Sequence, residues 1–134
     1  MERTMIPKYR AWDKEYKEMV QVDALVFDEQ IIKATYKNGN VVKEDLKNYV
    51  LMQSTGLRDK NGKEIFEGDI LKVTNLSIWL EVVSFNKNKA MFVSKEVKRK
   101  VEETPLYDLF NTDIFEVEII GNIHTNPELA EVSS

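Results

Sequence analysis

Few side chains in this 134-residue chain are of a type and spacing that could do chemistry. His124 is the only histidine, which excludes a multi-histidine metal site and makes it the one possible centre of a nucleophile–histidine triad. It stands beside Thr125 in a terminal segment where a base would lack the rigid orientation that proton transfer needs, so a packing or surface role is expected. Glu67 with Asp69, and Glu116 with Glu118, are carboxylates spaced by two, the inventory of an acid–base pair or a hard-cation site. On a strand that spacing only places both on one face, and an Asp after a Gly commonly serves turn geometry. A hydrolase using Glu67 or Asp69 is therefore a minor reading, and no catalytic residue, metal ligand or cofactor is assigned. Gly56, in Ser54-Thr55-Gly56-Leu57, lacks the Lys-Ser/Thr and the helix N-terminus of a phosphate loop, and no G-x-G-x-x-G occurs. Cysteine is absent, which removes disulfides, thiolate metal sites and cysteine nucleophiles together.

One cluster of charge offers a different chemistry. Lys87, Lys89, Lys95, Lys98, Arg99 and Lys100 have only Glu96 among them, with Trp79, Phe85 and Phe92 close in sequence. Small β barrels hold single-stranded nucleic acid with a basic groove and exposed aromatic rings, which makes Lys95, Lys98, Arg99 and Lys100 candidate contacts. The formal charge of -4 and the strand periodicity of the aromatics favour an exposed hairpin with an aromatic core instead. Charge is also divided along the chain: residues 101–134 contain eight acids and no Lys or Arg, so they carry -8 and the first 100 residues +4. Either the acidic strand lies beside basic strands of its own molecule, or the acidic region of one subunit meets the basic region of the next.

The elements that must position these residues are mostly strands. Residues 51–73, LMQSTGLRDKNGKEIFEGDILKV, hold three of the five glycines. Asn61-Gly62 suits the two positive φ angles of a two-residue hairpin turn, and Gly68 starts a second turn before the strand of Ile70, Leu71 and Val73. Asn38-Gly39 marks another hairpin, from 31–36 back to 41–43. Around the polar segment 13–17 a hairpin is preferred over a helical turn capped by Asp13. Residues 44–53 read as a polar turn and then a strand. Ile78 to Phe85 reads as a strand with Trp79, Val83 and Phe85 on one face, returning through 90–93. Lys72, Glu81, Lys87 and Glu116 are expected on solvent faces or edges. Thr104-Pro105-Leu106 has the form of a helix start, with Thr104 as N-cap and Pro105 at the first helical position. Residues 114–120 form the last strand, with Phe115, Val117 and Ile119 inward, and a single turn follows Pro127 before the end frays.

These patterns predict one domain over residues 1–134, mainly β, an antiparallel partly open barrel or sandwich with one short helix. There is no apolar run of signal-peptide length at the start and none of the roughly 18 residues that a spanning helix needs, so a soluble, cytoplasmic protein is expected.

Three segments carry a family resemblance: IPKYRAWD at 6–13, LMQSTGLRDKNGKEIFEGDI at 51–70, and IIGNI at 119–123 continuing to Asn126-Pro127-Glu128-Leu129. In these the chain resembles the YopX-like family of phage and prophage proteins. The resemblance implies a β-rich fold, self-assembly, a bacterial host cytoplasm and no catalytic residues to carry over. The expectation is a non-enzymatic accessory protein that binds a host or phage protein and forms a homo-oligomer, with single-stranded nucleic-acid binding as the alternative. Gln53, Thr55, Glu67 and Asp69, polar residues clustered near rigid turns, are the candidate contact surface.

Overall fold

The computed structural model describes residues 6–131. It is mainly β, with two antiparallel sheets and three short 3-10 helical turns, as the strand patterning predicts. Its residues gather into two compact units, Met1–Ser54 and Thr55–Ser134.

The first unit contains β1 (Tyr9–Asp13), β2 (Glu18–Val26), β3 (Ile31–Thr35), β4 (Val41–Asp45) and the first half of β5 (Tyr49–Arg58). Their spatial order is β4-β3-β2-β1-β5. The hairpin at 13–17 is present, with Ala11 opposite Val20 and Trp12 opposite Met19. Asp13 nevertheless does the work of a cap inside that turn, because its Oδ1 accepts from the amides of Glu15 at 2.9 Å and Tyr16 at 3.2 Å. A 3-10 turn, Leu46–Asn48, fills the segment before β5, opened by the Asp45 side chain accepting from the Lys47 amide at 2.9 Å. Alternation along the strands buries Ala11, Val20, Ile32, Ala34 and Tyr49 together. A fully buried aliphatic side chain such as Ile32 contributes about 1.5–3 kcal/mol.

The second unit contains residues 55–58 of β5, β6 (Glu64–Phe66) and a five-stranded sheet. That sheet is built from β7 (Asp69–Thr74), β8 (Ile78–Asn86), β9 (Met91–Glu96), β10 (Thr104–Pro105) and β11 (Glu116–Asn122), in the order β10-β9-β8-β7-β11. Its core is Ile65, Leu71, Val73, Val83, Leu106, Leu109 and Val117, with Phe115 and Ile119 packed against it. Glu116 and Glu118 point outward and meet Lys60 and Lys72, each pair at 3.6 Å. At these two positions the acidic strand lies beside cations of its own molecule.

The two Asn-Gly turns differ from expectation in type. Gly39 (φ +90) and Gly62 (φ +81) are left-handed, but neither Asn38 nor Asn61 is. Tyr36 N donates to Asn40 O and Asp59 N to Lys63 O, both at 2.8 Å, so each loop has three residues and ends on its glycine. Side-chain oxygens hold this shape: Asn38 Oδ1 accepts from the Asn40 amide, and Asp59 Oδ1 from those of Asn61 and Lys63, all at 2.9 Å.

The expected helix start at Thr104 is also corrected. Thr104 and Pro105 pair with Ser94 and Val93 of β9, and only a 3-10 turn, Leu106–Leu109, follows, with no side-chain cap. Strand pairing claims Thr104, and Leu106 and Leu109, three apart, both reach the core on a 3-10 repeat. At the end of β11 the ladder shifts register between Ile119 and Gly121. A Cβ on Gly121 would run into the Asn126 side chain, which folds back so that its Oδ1 accepts from the Asn122 amide at 3.2 Å. A single turn, Pro127–Ala130, ends the described chain; the expected fraying at 132–134 lies outside the described residues. Among the described residues no helix is long and apolar enough to cross a membrane.

Candidate binding cleft in the second unit

The feature that strand patterning misplaced is Glu81. It is 5% exposed, inside the sheet face and not on solvent. Residues 79, 81, 83 and 85 of β8 share one face by the two-residue period, so the position that carries Trp79 and Val83 inward carries Glu81 with them. A charged residue survives there because both oxygens are met: Trp79 Nε1 donates to Oε2 at 2.7 Å and Ser94 Oγ to Oε1 at 2.6 Å. Ser94, 1% exposed, comes from β9, where it pairs with Val83.

Directly opposite Glu81 on β9 is Glu96. Two carboxylates in that relation repel, and the cation that offsets the repulsion is Arg99, whose Nη2 lies 3.0 Å from Glu96 Oε2 and whose Nε is 3.2 Å from the same oxygen. Around these residues opens a cleft of about 420 Å³ lined by Trp79, Glu81, Ser94, Glu96, Arg99, Val101, Glu102, Thr104, Asp108, Leu109 and Phe115. Trp79 and Phe115 meet edge to face at 6.0 Å and 89°, fixing the aromatic wall. Four carboxylates therefore face one guanidinium beside an aromatic surface, an arrangement suited to a cationic group. Among the described residues no group of three or more His, Asp or Glu is placed to hold a metal ion.

Of the basic candidates, Arg99 lines this cleft and both neighbouring cavities, and the others line only the neighbours. Lys95, Arg99 and Lys100 join Lys89 around a cavity of about 810 Å³, shared with Glu96, Glu102 and Glu103. Lys98 lines a groove with Ser77, Ile78 and Leu80 that also takes in Trp79, Glu96 and Arg99. Trp79 lines that groove beside Lys98 and Arg99 while its indole N–H is committed to Glu81 and its ring to Phe115, and Phe85 leans on Phe92 at 5.2 Å.

Two of the four candidate contact residues near the turns, Thr55 and Asp69, bond the backbone through their side chains. Asp69 is 1% exposed and its Oδ2 accepts from the Phe66 amide at 2.8 Å, holding the turn at Gly68 (φ +86). Thr55 Oγ1 donates to Ile65 O at 2.8 Å and accepts from the Leu57 amide at 3.1 Å. Glu67 occupies that same turn between β6 and β7, and Gln53 sits in the first unit opposite Tyr9. The His124 amide donates to Asn122 Oδ1 at 3.0 Å, as part of the closing turn.

A family model described as YopX protein matches residues 8–131. Among solved structures, the chain is similar to the crystal structure of protein EF1440 from Enterococcus faecalis, at 28% identity and a TM-score of 0.61, with 96% of this chain and 100% of that one covered. No curated protein matches.

Proposed function

From the premise that the chain belongs to the YopX protein family, we propose a phage or prophage accessory protein that acts by binding, as a homo-oligomer in the bacterial cytoplasm, and not by catalysis. The observation that carries this reading is the cleft in which Glu81, Glu96, Glu102 and Asp108 outnumber Arg99 against the Trp79–Phe115 wall. Glu81, the most buried of the four, spends both oxygens on Trp79 and Ser94, which fits a fixed wall better than a group that must exchange protons. A lysine or arginine side chain is the natural occupant of such a cleft, and the exposed cations between residues 87 and 100 of a second copy can supply it. Light scattering at micromolar concentration should report an assembly that shrinks as salt rises. Glu102→Gln with Asp108→Asn should weaken it roughly tenfold, as loss of rim charge does. A monomer at every salt concentration would overturn the oligomeric reading.

The cavity lined by Lys89, Lys95, Arg99 and Lys100 favours a second reading, binding of single-stranded nucleic acid. It requires retention of single-stranded DNA or RNA at low salt that declines with salt and is reduced in the Lys98→Ala, Arg99→Ala, Lys100→Ala triple variant. Absence of retention at low salt ends it.

A further inference from the structure

Lys-Asn-Gly occurs twice in the chain, at 37–39 and 60–62, and every other asparagine is followed by a residue that carries a side chain. A glycine leaves its own backbone nitrogen unshielded, so that nitrogen reaches the preceding asparagine amide more readily than in any other sequence. The two tripeptides fold alike. Each lies on an exposed loop that ends on a left-handed glycine, and each glycine N–H donates back across its loop, Gly39 to Tyr36 O at 2.9 Å and Gly62 to Asp59 O at 3.0 Å.

What separates them is how the asparagine and its loop are held. The Asn61 loop is joined to β11 by three bonds: Lys60 N to Val117 O at 2.9 Å, Ile119 N to Asp59 Oδ2 at 3.0 Å, and Asn61 Nδ2 to Glu118 Oε2 at 3.3 Å. Arg58 Nη1 also donates to Gly62 O at 2.8 Å, and the Asn61 amide to Asp59 Oδ1 at 2.9 Å. The Asn38 loop reaches beyond its own hairpin only through the Lys37 amide, 3.4 Å from Glu18 Oε1. Asn38 Oδ1 accepts from the Asn40 amide at 2.9 Å, and its Nδ2 meets no acceptor among the described residues.

We propose that Asn38 is a site of spontaneous self-modification, converted to aspartate or isoaspartate by attack of the Gly39 nitrogen, and that the fold protects Asn61 from the same reaction. Gly39 N–H gives its proton to hydroxide, and the nitrogen forms a bond to Asn38 Cγ. The Asn40 N–H on Oδ1 stabilises the oxyanion that develops as the nitrogen adds. The Cγ–Nδ2 bond then breaks, and Nδ2 takes a proton from water and leaves as ammonia. Residues 38 and 39 are left joined in a succinimide ring. Water opens that ring: cleavage between Gly39 N and Cγ gives aspartate, and cleavage between Gly39 N and the main-chain carbonyl carbon gives isoaspartate. In sum, water is consumed and ammonia released, with no change of oxidation state. At Asn61 the departing nitrogen is held by Glu118, and the bonds to β11 resist the rotation that brings nitrogen and Cγ together.

The isoaspartate product lengthens the main chain inside a loop closed by Tyr36 N and Asn40 O, and it takes away the side-chain oxygen that holds the Asn40 amide. Tyr36, the residue before this loop, carries the hydroxyl bonded to Asp13 and Tyr49. Modification at residue 38 therefore loosens the β3–β4 hairpin and the polar contacts that Tyr36 makes.

The test holds the folded full chain in mildly alkaline buffer made with heavy-oxygen water, beside a sample unfolded in urea, and follows residues 38 and 61 by peptide mass spectrometry. In the folded chain the label should enter residue 38 about tenfold faster than residue 61, or more, because opening the Asn61 loop breaks bonds to β11 that the Asn38 loop lacks. In urea the two rates should converge, since the tripeptides are the same. Equal rates in the folded chain, an equally large difference in urea, or no label at residue 38 while the chain stays folded would each overturn the proposal. Glu118→Ala should raise the rate at Asn61 several-fold and leave that at Asn38 as it was; an unchanged Asn61 rate would overturn protection by that bond.

Discussion

Replacing Asp59 by Asn should cost about 2 kcal/mol of stability at neutral pH, and the deficit should close as the pH falls below about 4. Asp59 is 6% exposed and uses both oxygens on backbone amides. Oδ1 accepts from Asn61 and Lys63, each at 2.9 Å, which shapes the Asn-Gly loop, and Oδ2 accepts from Ile119 at 3.0 Å, sixty residues away on β11. The same loop sends Lys60 N to Val117 O at 2.9 Å, so two edge groups of β11 are closed by one turn. An asparagine can satisfy the pair at Oδ1, but its NH2 would then face the Ile119 N–H, donor against donor. Burial on its own would raise the Asp59 carboxyl; the amides of Ile119, Lys63 and Asn61, with the Lys63 charge, outweigh it and hold the group below the ordinary carboxylate range. A depressed carboxyl contributes stability that is present above its unfolded value and is lost as pH falls through the folded one. Urea midpoints of the two proteins at pH 7 and pH 3 read this directly, and a gap that stays constant between them would refute the assignment.

Glu81→Ala should be the more damaging change, costing about 3 kcal/mol, while Glu81→Gln should cost less than about 1.5. Truncation leaves the Trp79 indole N–H and the buried Ser94 hydroxyl without their acceptor. A glutamine amide at this position can still accept from Trp79 and can donate to Ser94 Oγ, since a hydroxyl rotates to accept. Removing the charge also relieves the repulsion from Glu96 across the strand pair, which further favours the glutamine. Equilibrium unfolding with an unchanged denaturant slope measures both, and equal losses for Ala and Gln would show that the two donors do not depend on Glu81.

The contrast between these two acids marks how far the chain could be read in advance. Asp59 belongs to an Asn-Gly loop whose hairpin was legible from neighbouring residues; its reach to Ile119 was not, because nothing local relates residue 59 to residue 119. Glu81 had a usable signal, its parity with Trp79 and Val83, and residue type argued against it. A carboxylate is costly to bury unless donors are waiting, and the Ser94 donor arrives from another strand through the β8–β9 register. The helix start expected at Thr104 fails for a related reason: Thr-Pro-Leu suits a helix locally, but pairing with Ser94 and Val93 makes Thr104 and Pro105 a strand.

Local chemistry in the sequence determined the strand segments, the hairpin positions, the inward faces of Val117 and Leu71 and the family, because side-chain alternation and turn residues act over a few neighbours. Tertiary structure alone decided which polar groups are interior and what satisfies them. It brought Ser94 to Glu81, Ile119 to Asp59 and Tyr49 to Tyr36, since the cost of a buried polar atom is set by partners that only long-range pairing delivers.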